Sequence, residues 1–288
     1  MDLSGFEIKE WPDLRQPVVL VGLGGWGNAL NVAKGSAAYL VRRTGARRIG
    51  ILKSDAFYRF DENRPTVSIQ DGLMHTLRLD HGGLFAAQAP ESRRDLLVLV
   101  AEEPHLRWDA FSAQILDIAA TLSASEFISL GSMYDGVLHT DAVLSAFATD
   151  ADHLKELDAL HIRPITYHGP TAIHSLLHRR ACERRLKASS IWTHCPYYLE
   201  GTTHPGLVAA TVGALARLLD LEIDTQELLD EWERLKKDIQ TAIEANPKLQ
   251  KLIGELRRAK VRGARTGGPV KRPGGDKVIR LKDFRDGD

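Results

Sequence analysis

The stretch Pro17-Val18-Val19-Leu20-Val21-Gly22-Leu23-Gly24-Gly25-Trp26-Gly27-Asn28 runs from continuous apolar residues straight into a glycine turn. Apolar side chains without polar alternation predict a strand buried on both faces, the signature of a central parallel strand. Leu30, Ala33, Ala37, Leu40 and Val41 then recur at helical spacing over residues 28–43, and Gly45 offers a stop. Strand, glycine turn and helix follow in that order.

Working outward, residues 48–52 form a second strand. Pro65 and the alternating Thr66-Val67-Ser68-Ile69 and His75-Thr76-Leu77-Arg78-Leu79 predict a hairpin where a crossover helix would otherwise stand. From Asp95 the rhythm is regular: strands at 96–100, 126–130, 142–148, 164–168 and 189–194 alternate with helices at 108–122, 150–160 and 171–185. Alternation of this kind predicts an α/β fold with a largely parallel sheet covered by helices on both faces. The α/β unit is placed at residues 1–222.

Beyond it, Leu228, Trp232, Leu235, Ile239, Ala242, Asn246, Leu249, Ile253 and Leu256 recur at steps of four and three. Residues 223–260 therefore read as a coiled-coil-like helical segment, which either folds back on its own domain or pairs with another subunit. Asn246 before Pro247 suits an N-cap and the first position of a new helix. Residues 261–288 form a basic tail broken by Gly267-Gly268-Pro269 and Pro273-Gly274-Gly275, which reads as a flexible end. From Arg257 the chain holds eleven Lys or Arg against four Asp, with Phe284 as the one aromatic for base stacking, so nucleic-acid binding is disfavoured.

Lys+Arg and Asp+Glu both number 38, so no global field draws the 288-residue chain toward nucleic acid or lipid. No apolar run approaches the roughly 20 residues of a membrane helix, and the start lacks a secretory pattern; a cytoplasmic protein without a membrane partner is expected. Cys182 and Cys195 are too few for a disulfide framework and read as buried, reduced thiols.

Gly22-Leu23-Gly24-Gly25-Trp26-Gly27 satisfies the dinucleotide pattern G-x-G-x-x-G. The second strand, however, ends in Lys53-Ser54 before Asp55, the hairpin departs from a βαβαβ half, and bulky Trp26 sits where backbone must approach phosphate. A tight turn packing helix on sheet is favoured, and no cofactor is expected. His174 and His178, four apart on a helix, lack the glutamate of a metal motif, and no metal is expected. His194-Cys195 point to opposite faces of a strand, against an activated thiol. Glu103 and His105 follow a strand at its carboxyl end, where open α/β sheets place ligands. Gly24, Trp26, Asn28, Ser132 and Thr171 belong to the same set of edges, so any pocket is built from these seven. The competing role for Glu103 is to cap the helix that begins at Trp108.

The loop continued into Asn28-Ala29-Leu30-Asn31-Val32-Ala33 resembles the glycine, tryptophan, glycine and asparagine signature of the proteasome assembly chaperone family, the PAC-type proteins. Phe57-Tyr58 with Arg64-Pro65-Thr66-Val67, then Glu103-Pro104-His105-Leu106-Arg107-Trp108 with Phe111, resemble the following blocks. Gly131, Gly169-Pro170-Thr171 and Ser190-Ile191-Trp192 continue the likeness, which spans residues 15–220. The resemblance implies a three-layer α/β/α fold similar to purine nucleoside phosphorylase, without its catalytic equipment, assembled into homo-oligomers. Archaeal members of that kind end in a hydrophobic residue, a tyrosine and one last residue, a tail that docks on the proteasome; this chain ends Phe284-Arg285-Asp286-Gly287-Asp288. The expectation is an uncharacterised bacterial branch: a protein-binding, assembly-chaperone-like homo-oligomer with a client protein and no catalysis of its own. The alternative is an enzyme acting on a nucleoside-like or nucleotide ligand at the carboxyl ends of the strands.

Overall fold

The computed structural model describes residues 3–79, 81–201, 203–261 and 279–280. Most of the basic tail lies outside the described residues. The pair Ile279–Arg280 (β13) lies parallel to Leu199–Glu200 (β12).

The central strand is β2 (Val18–Leu23), every residue of which is buried, as its unbroken apolar run requires. It lies between β7 (Leu96–Ala101) and β8 (Glu126–Asp135), parallel to both. The nine-stranded sheet has the order β1-β3-β6-β7-β2-β8-β11-β9-β10, with β1 Phe6–Ile8, β3 Arg47–Leu52, β6 Gly82–Ala87, β9 Leu144–Ala148, β10 Ile162–Pro164 and β11 Ala188–Pro196.

The expectation of a mostly parallel sheet is corrected: the sheet is mixed. β7–β2, β2–β8, β8–β11 and β9–β10 are parallel, whereas β1–β3, β3–β6, β6–β7 and β11–β9 are antiparallel. After β3 the chain makes no helical crossover. It runs out through the short helix α2 (Ser54–Phe57) and the hairpin β4 (Thr66–Gln70) and β5 (Leu73–Arg78), then returns as β6 against the direction of both its neighbours. A return without a crossover yields antiparallel pairing.

Two apolar layers flank the sheet. One joins α1 (Val32–Arg43), α6 (Pro205–Leu219), α7 (Gln226–Glu244) and α8 (Pro247–Val261) to Leu20, Val98, Leu130 and Ile191. The other joins α3 (Trp108–Thr121) and α5 (His174–Glu183) to Val19, Val21, Leu97 and Phe127. The remaining helix, α4 (Ala151–Ala159), is capped by Asp150, whose side chain accepts the His153 N–H at 2.8 Å.

The helix after the glycine turn begins at Val32, four residues later than the periodicity predicts. Leu30 and Asn31 adopt left-handed φ of 50° and 52°, because Asn28 is drawn into a parallel bridge with Ser132. The apolar seam of α7 and α8 folds back on the same chain: Leu228, Leu235, Ile239, Leu249 and Ile253 are buried in the first layer. Trp232 stacks on His204 with ring centroids 4.4 Å apart, and a Cβ on Gly206 would sit 2.8 Å from its ring. Asn246 caps α8 as its sequence predicts, accepting the N–H groups of Lys248 and Leu249 at 3.0 and 3.3 Å. Among the described residues, no helix is long and apolar enough to cross a membrane.

Candidate functional site: the carboxyl edge of the central strands

The glycine turn leaves β2 where Gly24 N–H meets the Ala101 carbonyl at 2.8 Å, beside the end of β7. Two acidic residues follow β7. A Cβ on Gly24 would meet the Glu102 carboxylate, and one on Gly25, whose φ is +87°, would come within 2.7 Å of the Glu103 Cβ. The glycines are therefore needed for this chain's own carboxylates to approach the turn, the role a pyrophosphate would otherwise give them.

Glu103 shows why. Its Oε2 accepts the Trp26 backbone N–H at 3.1 Å and its Oε1 accepts the Ile173 N–H at 2.9 Å, the latter immediately before α5. An anion is thus already held at the glycine loop and the helix start, and it is the protein's own. The other capping role weighed for Glu103, at the helix beginning with Trp108, is not the contact it makes.

The remaining expected site residues are placed as follows. Asn28 Oδ1 accepts the Lys34 N–H at 3.0 Å, and its Nδ2 donates to Asn31 Oδ1 at 3.1 Å. Ser132 Oγ donates to the Ala29 carbonyl at 2.9 Å. Thr171 Oγ1 lies 2.5 Å from Ser175 Oγ in the first turn of α5. His105 stands apart at the hairpin side, where its Nδ1 accepts the Arg59 N–H at 3.1 Å. Gly24, Trp26, Asn28, Glu103 and Ser132 are thus brought to one edge. Their polar groups are taken up by hydrogen bonds within the protein, and of the five Trp26 alone leaves a large side chain in solvent, 63% exposed.

His81 stacks between Tyr58 (4.5 Å) and Phe60 (6.0 Å) and joins the loop after α2 to the end of the hairpin. Tyr58 donates to the Glu102 carbonyl at 2.5 Å; burial, with added push from the Glu102 and Glu103 charges, raises its hydroxyl well above the usual range.

His174 is fully buried, with Nε2 2.7 Å from the Leu130 carbonyl, and burial lowers its pKa to about 4. Among the described residues no group of three or more His, Cys, Asp or Glu can hold a metal. Cys195 is buried and its thiol is pushed up by burial, but Cys182 is exposed, which corrects its reading as a buried thiol: it lies on the solvent face of α5.

The sequence gives no signal for the partners of His194. Its Nδ1 lies 2.7 Å from Asp135 Oδ2 and its Nε2 2.8 Å from Ser145 Oγ, the order of carboxylate, base and nucleophile. These residues come from three strands, and only the sheet order brings them together. Asp135 and Ser145 are each 5% exposed and His194 9%, and Ser145 lies inside a strand pair opposite Trp192. The relay reads as a buried fastening of β8, β9 and β11.

With this geometry in place, the comparisons decide the family. The PAC2 family profile matches residues 21–243. The chain belongs to the PAC2 family. A PAC2 family protein from Streptomyces avermitilis is 25% identical, with a TM-score of 0.71 over 78% of this chain and 95% of that one. A proteasome-assembly chaperone homologue from Mycobacterium tuberculosis superposes with a TM-score of 0.73 at 23% identity, over 82% of this chain and 99% of that one. An archaeal proteasome activator from Pyrococcus furiosus gives 0.64 at 18% identity, over 82% and 97%. The last two likenesses are likenesses of fold. No curated protein matches the chain. This PAC2 protein carries the glycine, tryptophan and asparagine loop as a fastening between β2, β7 and α5.

Proposed function

We propose that this PAC2 protein is a homo-oligomeric, assembly-chaperone-like scaffold that binds another protein and needs no catalysis to do so. The carrying observation is the hairpin β4–β5. All of its residues are exposed on both faces, yet it presents Val67, Ile69, Leu73, Met74 and Leu77, which are 49%, 63%, 68%, 67% and 52% exposed. A two-stranded hairpin is marginal alone in water, and an apolar patch of this kind marks an interaction surface. We assign it to contact with a second copy. The exposed Trp26 and Leu106, on the carboxyl edge, are the anchors we assign to a client protein.

The reading is supported by membership of the family and by the fold shared with the mycobacterial chaperone homologue. The two apolar layers also fit the three-layer, phosphorylase-like scaffold that the resemblance implies. Against the enzyme alternative stands Glu103, which fills the anion position of the glycine loop.

The test is capture of partner proteins by the tagged full chain and by Trp26→Ala, which removes an exposed side chain and leaves the core intact. Retention of a partner by the wild type and its loss with Trp26→Ala support the proposal. Turnover of a nucleoside or nucleotide with no partner retained would overturn it.

A further inference from the structure

A second feature of the same edge is unused by this reading. A cleft of about 410 Å³ lies between the stem of the hairpin and the face of the sheet covered by α1. Ala38, Val41, Phe85 and Val100 form its apolar floor, and Lys34, Arg48, Arg64 and Arg78 bring positive charge to its walls. Its volume suits a small molecule, and its place at the carboxyl end of β7 suits a ligand. There the chain passes from one side of β2 to the other, and open α/β sheets leave a crevice.

The charge balance is uneven. Glu102 is the one carboxylate among the described lining residues, and Lys34 already pairs with it. Arg48 donates to the Gly82 carbonyl at 3.2 Å, and Gly83 keeps the space beside it open: a Cβ there would sit 2.9 Å from the Arg48 Nε. Arg64 and Arg78 make no side-chain hydrogen bond or ion pair among the described residues. Both stand at the hairpin stem, Arg78 directly across from Thr66 and Arg64 two residues before it. Like charges gathered at one end of a strand pair repel unless an anion lies between them. Guanidinium forks match phosphate oxygens two at a time and hold them by charge-assisted hydrogen bonds.

We propose that this cleft is a binding site for a small phosphate-bearing molecule with two or more phosphoryl groups, held by Arg64 and Arg78 from the hairpin and by Lys34 and Arg48 from the body of the protein. It differs from the dinucleotide reading: it uses side-chain cations on the far side of Glu102 and none of the glycine-loop amides that Glu103 occupies. Because its cations come from both the hairpin and the body, a bound ligand fastens the hairpin stem to the sheet. The site stands whether or not the hairpin docks a second copy.

The experiment is calorimetric titration of the full chain with inorganic pyrophosphate, ATP and, for charge alone, sulfate at fixed ionic strength. It is repeated on Arg64→Ala, Arg78→Ala and the double variant, whose exposed side chains leave the core untouched. Expected is saturable binding of pyrophosphate, tighter than sulfate, weakened about tenfold by each single change and abolished by both. ATP binding as tightly as pyrophosphate identifies a nucleotide source; pyrophosphate alone identifies a simple polyphosphate, and either supports the site. No binding of pyrophosphate or ATP at millimolar concentration, or equal binding by wild type and double variant, overturns it. Neither result bears on whether Trp26 captures a protein.

Discussion

The Glu103 carboxylate accepts the backbone N–H of Trp26 at 3.1 Å, so the glycine loop that reads as a phosphate cradle is filled by a side chain of the same protein. Its other oxygen accepts the Ile173 N–H, so one residue ties the turn after β2 to the start of α5. Glu103→Ala leaves both donors without their partner and should destabilise the fold by about 2 kcal/mol, with Glu103→Gln, which keeps one acceptor, costing about half. Urea unfolding measures both. An unchanged midpoint in Glu103→Ala would show that the bridge contributes nothing.

Gly25→Ala should be worse than its size suggests. The left-handed φ of +87° strains any other residue, and the new Cβ meets the Glu103 side chain. A loss of about 2 kcal/mol or more is expected, measured the same way. A neutral result would mean that the turn relaxes freely.

The glycine loop shows what was legible and what was not. The strand at 18–23, the hairpin and the Asn246 cap follow from local pattern alone, because buried strands, alternating hairpins and caps are written in adjacent residues. The partners of the loop's amides were not legible, since Glu103 and Ile173 lie far along the chain and only the sheet order brings them to Trp26. The same holds for Ser145, His194 and Asp135. The strand β6 escaped because Gly82-Gly83-Leu84-Phe85-Ala86-Ala87 has little β-branched character, and with it went the antiparallel pairing with β3 and β7. Expected at residues 164–168, β10 instead ends at Pro164, its side chains buried only at Ile162.

Ile239→Ala tests whether α7 belongs to the same cooperative unit as the sheet. Ile239 is fully buried, and truncating it should cost about 3 kcal/mol in a single unfolding transition shared by helix and sheet. A wild-type-like main transition with a separate early loss of helix would contradict the fold-back seen here.

Stability should fall on mild acidification. Burial foremost holds His139, His174 and His204 down to about 4, while an unfolded histidine titrates near 6.5. As pH falls the unfolded chain takes the proton first. The stability of the neutral buried forms is therefore full above about pH 6.5 and lost progressively toward pH 4, by about 1 kcal/mol per pH unit for each histidine. Glu126, 1% exposed, is raised by burial but more strongly lowered by His153, Lys187 and Arg94, and its contribution is lost only at still lower pH. Chemical unfolding at pH 7, 6 and 5 checks this, and a constant midpoint would contradict it.

A scaffold without catalysis predicts that a fluorophosphonate probe leaves Ser145 unlabelled in the folded protein. Labelling mapped to Ser145 and lost in His194→Ala would show that the buried relay is a working nucleophile.

The most direct measurement of the central claim is light scattering after size exclusion of the full chain and of Ile69→Lys/Leu77→Lys, at several concentrations. These changes charge the exposed hairpin without touching the core. The account predicts a wild-type mass that is a multiple of the 31.9 kDa chain and a folded variant at the mass of one chain. A wild type that stays monomeric throughout, or a variant that keeps the wild-type oligomer, would contradict it.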